Sequence, residues 1–206
     1  MDNFNSALYN ILEWIMKFAY VNILWILFTL LGGIILGFYP STIAMFAIIR
    51  DWLHGKTELP IFKTYWIYFK RDFAKSNILG LIINVLIALI VIDVYYIQTN
   101  MNEQLTWTHI PLFSFMLLVI LLLFYLFPSF VHYSLNLFQL IKNAFLIMLI
   151  SPLNSFLMIL CLGSIYFIMK AVPALFFIFG GSIYAYITTW LSLNTFYKIQ
   201  KKQAKG

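Results

Sequence analysis

The sequence predicts an all-α fold, a polytopic membrane helix bundle of about five transmembrane helices plus a cytoplasmic amphipathic helical segment. Three observations predict it. First, 63% of the 206 residues are hydrophobic and 10% are charged, against roughly 45–50% apolar and about 25% charged in a soluble domain. A chain of this size has no room to hide so much apolar surface from water, whereas lipid accepts it. Second, five apolar runs reach the roughly 20 residues that a bilayer crossing takes. Third, the runs are continuously apolar rather than alternating, so they read as helices and not as barrel strands. An aromatic share of 19% suits interfacial belts and helix packing.

Residues 1–206 read as one membrane domain. No positively charged region precedes the first apolar segment, where Lys17 is the first basic residue, and no small-residue cleavage site follows it. That segment is therefore expected to be retained as a helix. Phe4, Leu8, Ile11, Leu12 and Ile15 form an apolar stripe that extends it outward. The first span is placed at about 18–38. Pro40 then opens a shorter helix over 41–53, apolar until Arg50, which is interfacial, re-entrant or spanning. In the stretch 61–76, Phe62, Tyr65, Trp66, Phe69 and Phe73 recur at helical spacing between basic residues. Such a helix either lies on the cytoplasmic leaflet or packs against protein. Together 39–77 make a cytoplasmic segment. The later spans are placed at about 78–97, 110–131 (free of charge), 144–169 (kinked by Pro152, with Ser151 or Asn154 meeting the freed carbonyl) and 171–193.

Orientation follows from lysine and arginine. Segment 50–76 carries six, the tail 198–206 four and the link 132–143 one, and five crossings put all three on one side. The other side keeps Lys17 and Lys170, and the link 98–109 there has Glu103 and no basic residue. The basic side is cytoplasmic, so the N-terminus is expected outside and the C-terminus inside. Both the count and the N-terminal side change if 39–50 spans back. A faint internal echo pairs Phe38-Tyr39-Pro40-Ser41 with Leu126-Phe127-Pro128-Ser129, and chance accounts for it better than a repeat does, because Pro and Ser are common at helix ends.

No catalytic or cofactor constellation is legible. His54, His109 and His132 lack metal-ligand spacing, and Cys161 stands alone in an apolar run as a small hydrophobe. There is no Walker loop and no G-x-S-x-G elbow. No cofactor is expected, and neither is nucleic acid, because the basic residues flank apolar runs. The lipid bilayer itself is the first partner. Asn22, Trp25, Thr29, Gly33 and Gly37 recur along one face of the first span, with Gly33 and Gly37 as G-x-x-x-G, and Gly181 and Ala185 repeat that spacing in the last. These are candidate packing positions, within the bundle or in a homo-oligomer. Asn84, Asp93 and Asn154 are candidate intramembrane polar groups that need partners.

The stretch 22–55 carries Asn22, Trp25, Gly37, Pro40, Ala44, Arg50, Trp52 and Gly55, and Phe69, Phe73 and Asn77-x-x-Gly80 follow. In these residues the chain resembles the YesL-like family of bacterial membrane proteins, a family of unknown function. The resemblance covers roughly the first 100 residues, with Pro40-Ser41-Thr42 standing for the family's Pro-Ala-Thr. It implies a bacterial plasma-membrane protein. Because members often sit beside sugar-uptake genes, it also implies a non-enzymatic accessory or assembly role in carbohydrate import by ABC-type transporters, with a transporter permease as partner. A small oligomeric transporter or channel is the alternative and a membrane-embedded enzyme the remote one. Arg50, Trp52, Phe69 and Phe73 are candidate partner-docking residues, since Trp and Arg dominate interface hot spots. The structural alternative has Arg50 pairing with Asp72 or capping a helix C-terminus.

Overall fold

A computed structural model describes the backbone of residues 2–99 and 106–203, with side chains for 8–99 and 109–201. Glu103, Lys205 and the side chains of Phe4 and Lys202 lie outside the described residues. The chain is helical: α1 Asp2–Leu31, α2 Ile35–Leu53, α3 Ile61–Thr99, α4 Thr106–His132, α5 Leu137–Ile150, α6 Pro152–Ala171 and α7 Pro173–Gln203. Five helices are long and apolar enough to cross a membrane, at Leu8–Leu31, Ile61–Thr99, His109–His132, Pro152–Ala171 and Pro173–Lys201.

The first span does not run unbroken over 18–38. It ends at Leu31, and the chain reverses through Gly32, Gly33 and Ile34. Gly33 and Ile34 adopt positive φ, +75° and 63°. The reversal happens because two glycines let the backbones touch: a Cβ on Gly32 would lie 2.3 Å from the Gly37 Cα, and one on Gly37 would lie 2.4 Å from the Thr29 carbonyl oxygen. Gly33 and Gly37 therefore do not share a helical face as G-x-x-x-G, and the close pair is Gly32 with Gly37 across the corner. From there α2 runs antiparallel to α1. Trp25 Nε1 donates to Thr42 Oγ1 at 3.0 Å, and Trp52 meets Trp14 and Phe18 edge-on.

Residues 39–50 are thus packed within the protein rather than lying on its surface. Every side chain from Tyr39 to Ile49 is buried, which makes α2 the axis of the bundle. Pro40 sits inside α2 rather than opening it. Its missing N–H frees the Leu36 carbonyl, which accepts instead from Asn77 Nδ2 at 3.1 Å.

The amphipathic segment and the second span are one 39-residue helix, α3. Its first turns pack on protein on one face, where Tyr65 is fully buried and its hydroxyl donates to the Ser41 carbonyl at 2.7 Å. The other face, with Phe62, Trp66, Lys63, Lys70 and Arg71, is exposed. The fourth span is not a kinked helix but two helices. Pro152 is the first residue of α6, and the Met148 carbonyl it cannot engage accepts from the Ser151 N–H at 3.4 Å. Ser151 and Asn154 side chains do not cap it. Asn154 Nδ2 donates across to Thr195 Oγ1 and the Leu191 carbonyl of α7.

Helix α7 lies antiparallel to α1: Asn22 meets Phe177, Gly181 and Ser182, while Phe18 meets Tyr186 edge-on. The starting end of α1 and the finishing end of α7 therefore lie at the same end of the bundle. The expected opposite placement of the termini followed from an odd number of crossings by uninterrupted spans, and the corner at 32–34 removes that premise.

Candidate functional site

Two polar nodes tie the helices together. The first is Asn22 on α1. Its Nδ2 donates to the Phe177 carbonyl at 2.7 Å, and its Oδ1 accepts from the Gly181 and Ser182 N–H groups, both at 3.1 Å. Gly181 permits this approach, since a Cβ there would stand 3.0 Å from Asn22 Oδ1. Asn22 is 1% exposed, and these three partners of its amide are all α7 backbone. Ala185 is buried one turn further along α7. Thr29 sits near the corner with a buried hydroxyl that finds no partner among the described residues. Asn22→Ala is expected to strand those α7 groups and lower stability by about 1–3 kcal/mol, read as an earlier unfolding transition in detergent micelles, whereas Trp190→Ala, at an exposed position on α7, is expected to shift it far less.

The second node gathers α2, α3, α4 and α7 at the end where α2 and α4 finish. Arg50 donates through Nη1 to the Val131 carbonyl near the last turn of α4 and through Nη2 to Asp51 Oδ1 at 2.8 Å. A cation at that position opposes the negative end of the α4 dipole. Asp51 is 3% exposed and accepts also from the Tyr68 hydroxyl of α3. Arg50 does not pair with Asp72, which is held by Arg71 at 2.6 Å. His54 Nδ1 lies 2.7 Å from the Arg50 carbonyl, so that nitrogen carries the hydrogen. Nε2 is then the acceptor for the Tyr197 hydroxyl of α7 at 3.2 Å. The His132 ring stacks over His54 at 6.2 Å. Lys75 of α3 donates to the Leu135 carbonyl beyond α4 at 2.7 Å.

Arg50, Asp51, His54, Lys56 and His132 line an open cleft of about 250 Å³. Chemically it offers two cations and two imidazoles beside a carboxylate already paired with Arg50 and hydrogen-bonded by the Tyr68 hydroxyl. Among the described residues no group of three or more His, Cys, Asp or Glu is close enough to hold a metal ion.

Of the four docking candidates, Trp52 and Phe69 are buried within the fold, and Arg50 is partly exposed at the open cleft. Trp52 is 5% exposed beneath Trp14 and Phe18, and Phe69 is 7% exposed against Phe28, Trp66 and Phe73. Phe73 is half-buried. Asn84 accepts from the Tyr39 hydroxyl, and Asp93 is half-buried near the far end of α3. The sequence reading did not bring together Asp51, Tyr68, His54, His132 and Tyr197. A carboxylate beside Arg50 at the end of an apolar run was the available signal, because such an acid must be paired if the run is buried.

A helical bundle with an apolar exterior, five helices of crossing length and polar groups spent on interhelical ties defines a multi-helix membrane protein. Residues 18–94, the second half of α1, all of α2 and most of α3, match the family described as Protein of unknown function, DUF624. Three Bacillus subtilis (strain 168) proteins are similar over most of the chain. Uncharacterized protein YesV is 34% identical over 95% of this chain and 94% of its own length. Uncharacterized protein YteU is 33% identical over 84% and 78%, and Uncharacterized protein YesL is 32% identical over 97% and 94%. The chain belongs to this YesL-like family of unknown function. No solved structure matches it significantly.

Proposed function

We propose that this protein is a non-enzymatic accessory or assembly factor of the bacterial plasma membrane that works beside a sugar-uptake permease of the ABC type. The single observation that carries the choice over a self-contained transporter is the position of α2. Its unbroken buried stretch from Tyr39 to Ile49 fills the axis of the bundle with Phe46, Ile43, Ile48 and Ile49. A helix occupying that axis suits a scaffold more than a conduit. The polar cleft supports the same reading, since Arg50, Asp51 and His54 are engaged in holding α2 to α3, α4 and α7. The sugar-import link rests on the genomic setting of the family that the sequence resembles.

In this reading the end bearing Arg50, His54, Lys56 and Lys198 faces the cytoplasm, as the bias of lysine and arginine dictates, and both termini lie there. Reporter fusions at the N-terminus and after Glu58 and Lys202 are expected to report inside, and one after Gln98 outside. An exported Lys202 fusion overturns the orientation.

The functional test is co-purification of a tagged chain from its native membrane in mild detergent. A permease recovered in stoichiometric amount is the expected result. A homo-oligomer recovered alone overturns the accessory role in favour of a channel formed by copies of this chain.

A further inference from the structure

The charge of this chain is not spread evenly. All seven acidic residues lie within the first 103 positions, beside seven lysines and arginines. From Gln104 to Gly206 there are six lysines and no acid, so the whole net charge of +6 belongs to the half that forms α4 to α7.

Two of those lysines, Lys198 and Lys201, stand on the last turns of α7. Neither makes an ion pair or a hydrogen bond among the described residues. Both line a cavity of about 550 Å³ between those turns and the break from α5 to α6. That volume lies in the roughly 300–1,000 Å³ range of small-molecule sites. Ile150, Pro152, Leu153 and Ile199 supply apolar wall, and no carboxylate lines the cavity. Asn154 and Thr195 also line it but are already bonded to each other.

The cavity lies where an apolar surface ends. Helix α7 carries no charge from Pro173 through Tyr197, a rise of about 36 Å at 1.5 Å per residue, which suffices to cross a hydrocarbon layer of roughly 30 Å. Lys170 stands just before one end of that stretch and Lys198 just after the other. Helix α6 starts at the Lys198 end, since Asn154 bonds to Thr195. From there Leu153, Phe156, Leu157 and Leu160 make one row on α6, 43% to 78% exposed, leading away from the lysines. A soluble phosphate would match the two cations and leave the walls bare. An uncharged apolar tail would cover the walls and leave the cations unmatched. An anion that carries an apolar tail satisfies both.

We propose that this cavity binds one anionic phospholipid, with its phosphodiester between Lys198 and Lys201 and an acyl chain along the exposed row of α6. Lysines at a membrane surface attract anionic headgroups, and their stems cover apolar wall while the ammonium groups reach the headgroup level. The occupant is a lipid of the surrounding bilayer, not an acidic partner protein.

The test uses the full chain, delipidated in a neutral detergent and titrated with dioleoylphosphatidylglycerol, with bound lipid counted by native mass spectrometry. One phosphatidylglycerol per chain is expected to bind more tightly than any further one, and Lys198→Ala with Lys201→Ala is expected to weaken it roughly tenfold or more. Lys170→Ala removes an exposed lysine at the other end of α7 and is expected to leave that affinity unchanged. Leu153→Glu keeps both lysines and changes a side chain that is 78% exposed, so the bundle is undisturbed. It places a carboxylate in the cavity wall and is expected to weaken binding comparably to the double variant. Equal weakening by Lys170→Ala overturns the proposal by reducing the effect to diffuse attraction, and equally tight binding of dioleoylphosphatidylcholine overturns it because the headgroup charge is then not read. Displacement of the lipid by an equal concentration of glycerol 3-phosphate overturns it in favour of a soluble phosphate ester. Full affinity in Leu153→Glu overturns it by placing the lipid elsewhere.

Discussion

Gly37→Ala is expected to lower stability by about 3 kcal/mol, at the upper part of the range for overpacked sites. The added Cβ would stand 2.4 Å from the Thr29 carbonyl oxygen, 2.8 Å from that of Phe28 and 2.9 Å from the Gly32 Cα. All three neighbours are backbone, so no side chain can rotate away. The only relief is to separate α1 from α2 at the corner, which loosens Trp25 from Thr42 and uncovers the axis helix. The measurement is the midpoint of thermal unfolding of the detergent-solubilised protein, followed by loss of its monodisperse size-exclusion peak. Gly163→Ala is the control, because nothing lies within 4 Å of its added Cβ. That substitution is expected to be neutral or to stabilise by up to about 1 kcal/mol through helix propensity. Equal midpoints for the two variants would refute the close approach at Gly32 and Gly37.

Arg50→Met has the second large effect expected. Removing the guanidinium leaves Asp51 buried with only the Tyr68 hydroxyl, and leaves the Val131 carbonyl without its donor. Breaking a buried pair by deleting one partner costs roughly 3–5 kcal/mol. The expected phenotype is loss of the protein from the membrane fraction at growth temperature, not loss of a partner from an intact protein. Arg50→Met combined with Asp51→Asn should recover part of that loss, because the stranded charge is gone while the Tyr68 hydrogen bond keeps an acceptor. A single variant that accumulates normally but no longer retains a partner would return Arg50 to the docking role expected from sequence. The same experiment on Trp52→Ala is expected to reduce protein level too, since Trp52 seats the start of the bundle against Trp14 and Phe18.

The family region 18–94 coincides with the unit that makes both devices. The glycine corner, the axis helix and the Arg50, Asp51 and Tyr68 node all fall within it. The matched residues thus include those that shape the α1–α2 unit and its hold on α3.

By itself the sequence determined the solvent and the class. Continuous apolar runs of crossing length admit only helices in lipid, because a backbone without water must bond to itself, and the YesL-like membership was legible in residues 22–55 and in Asn77 and Gly80. The tertiary structure decided where the runs turn and what their polar residues do. A G-x-x-x-G spacing reads the same whether the helix continues through it or breaks at its first glycine, and hydropathy is equally high on either side of the corner at 32–34. Whether Pro40 opens a helix or sits within one depended on Asn77, 37 positions away, taking up the Leu36 carbonyl. Arg50 and Trp52 looked like surface residues because polarity and size mark interfaces in water. In this bundle a long-range contact with α4 engages the Arg50 guanidinium and another with α1 buries Trp52, and contacts between residues distant in sequence are information that local pattern does not contain.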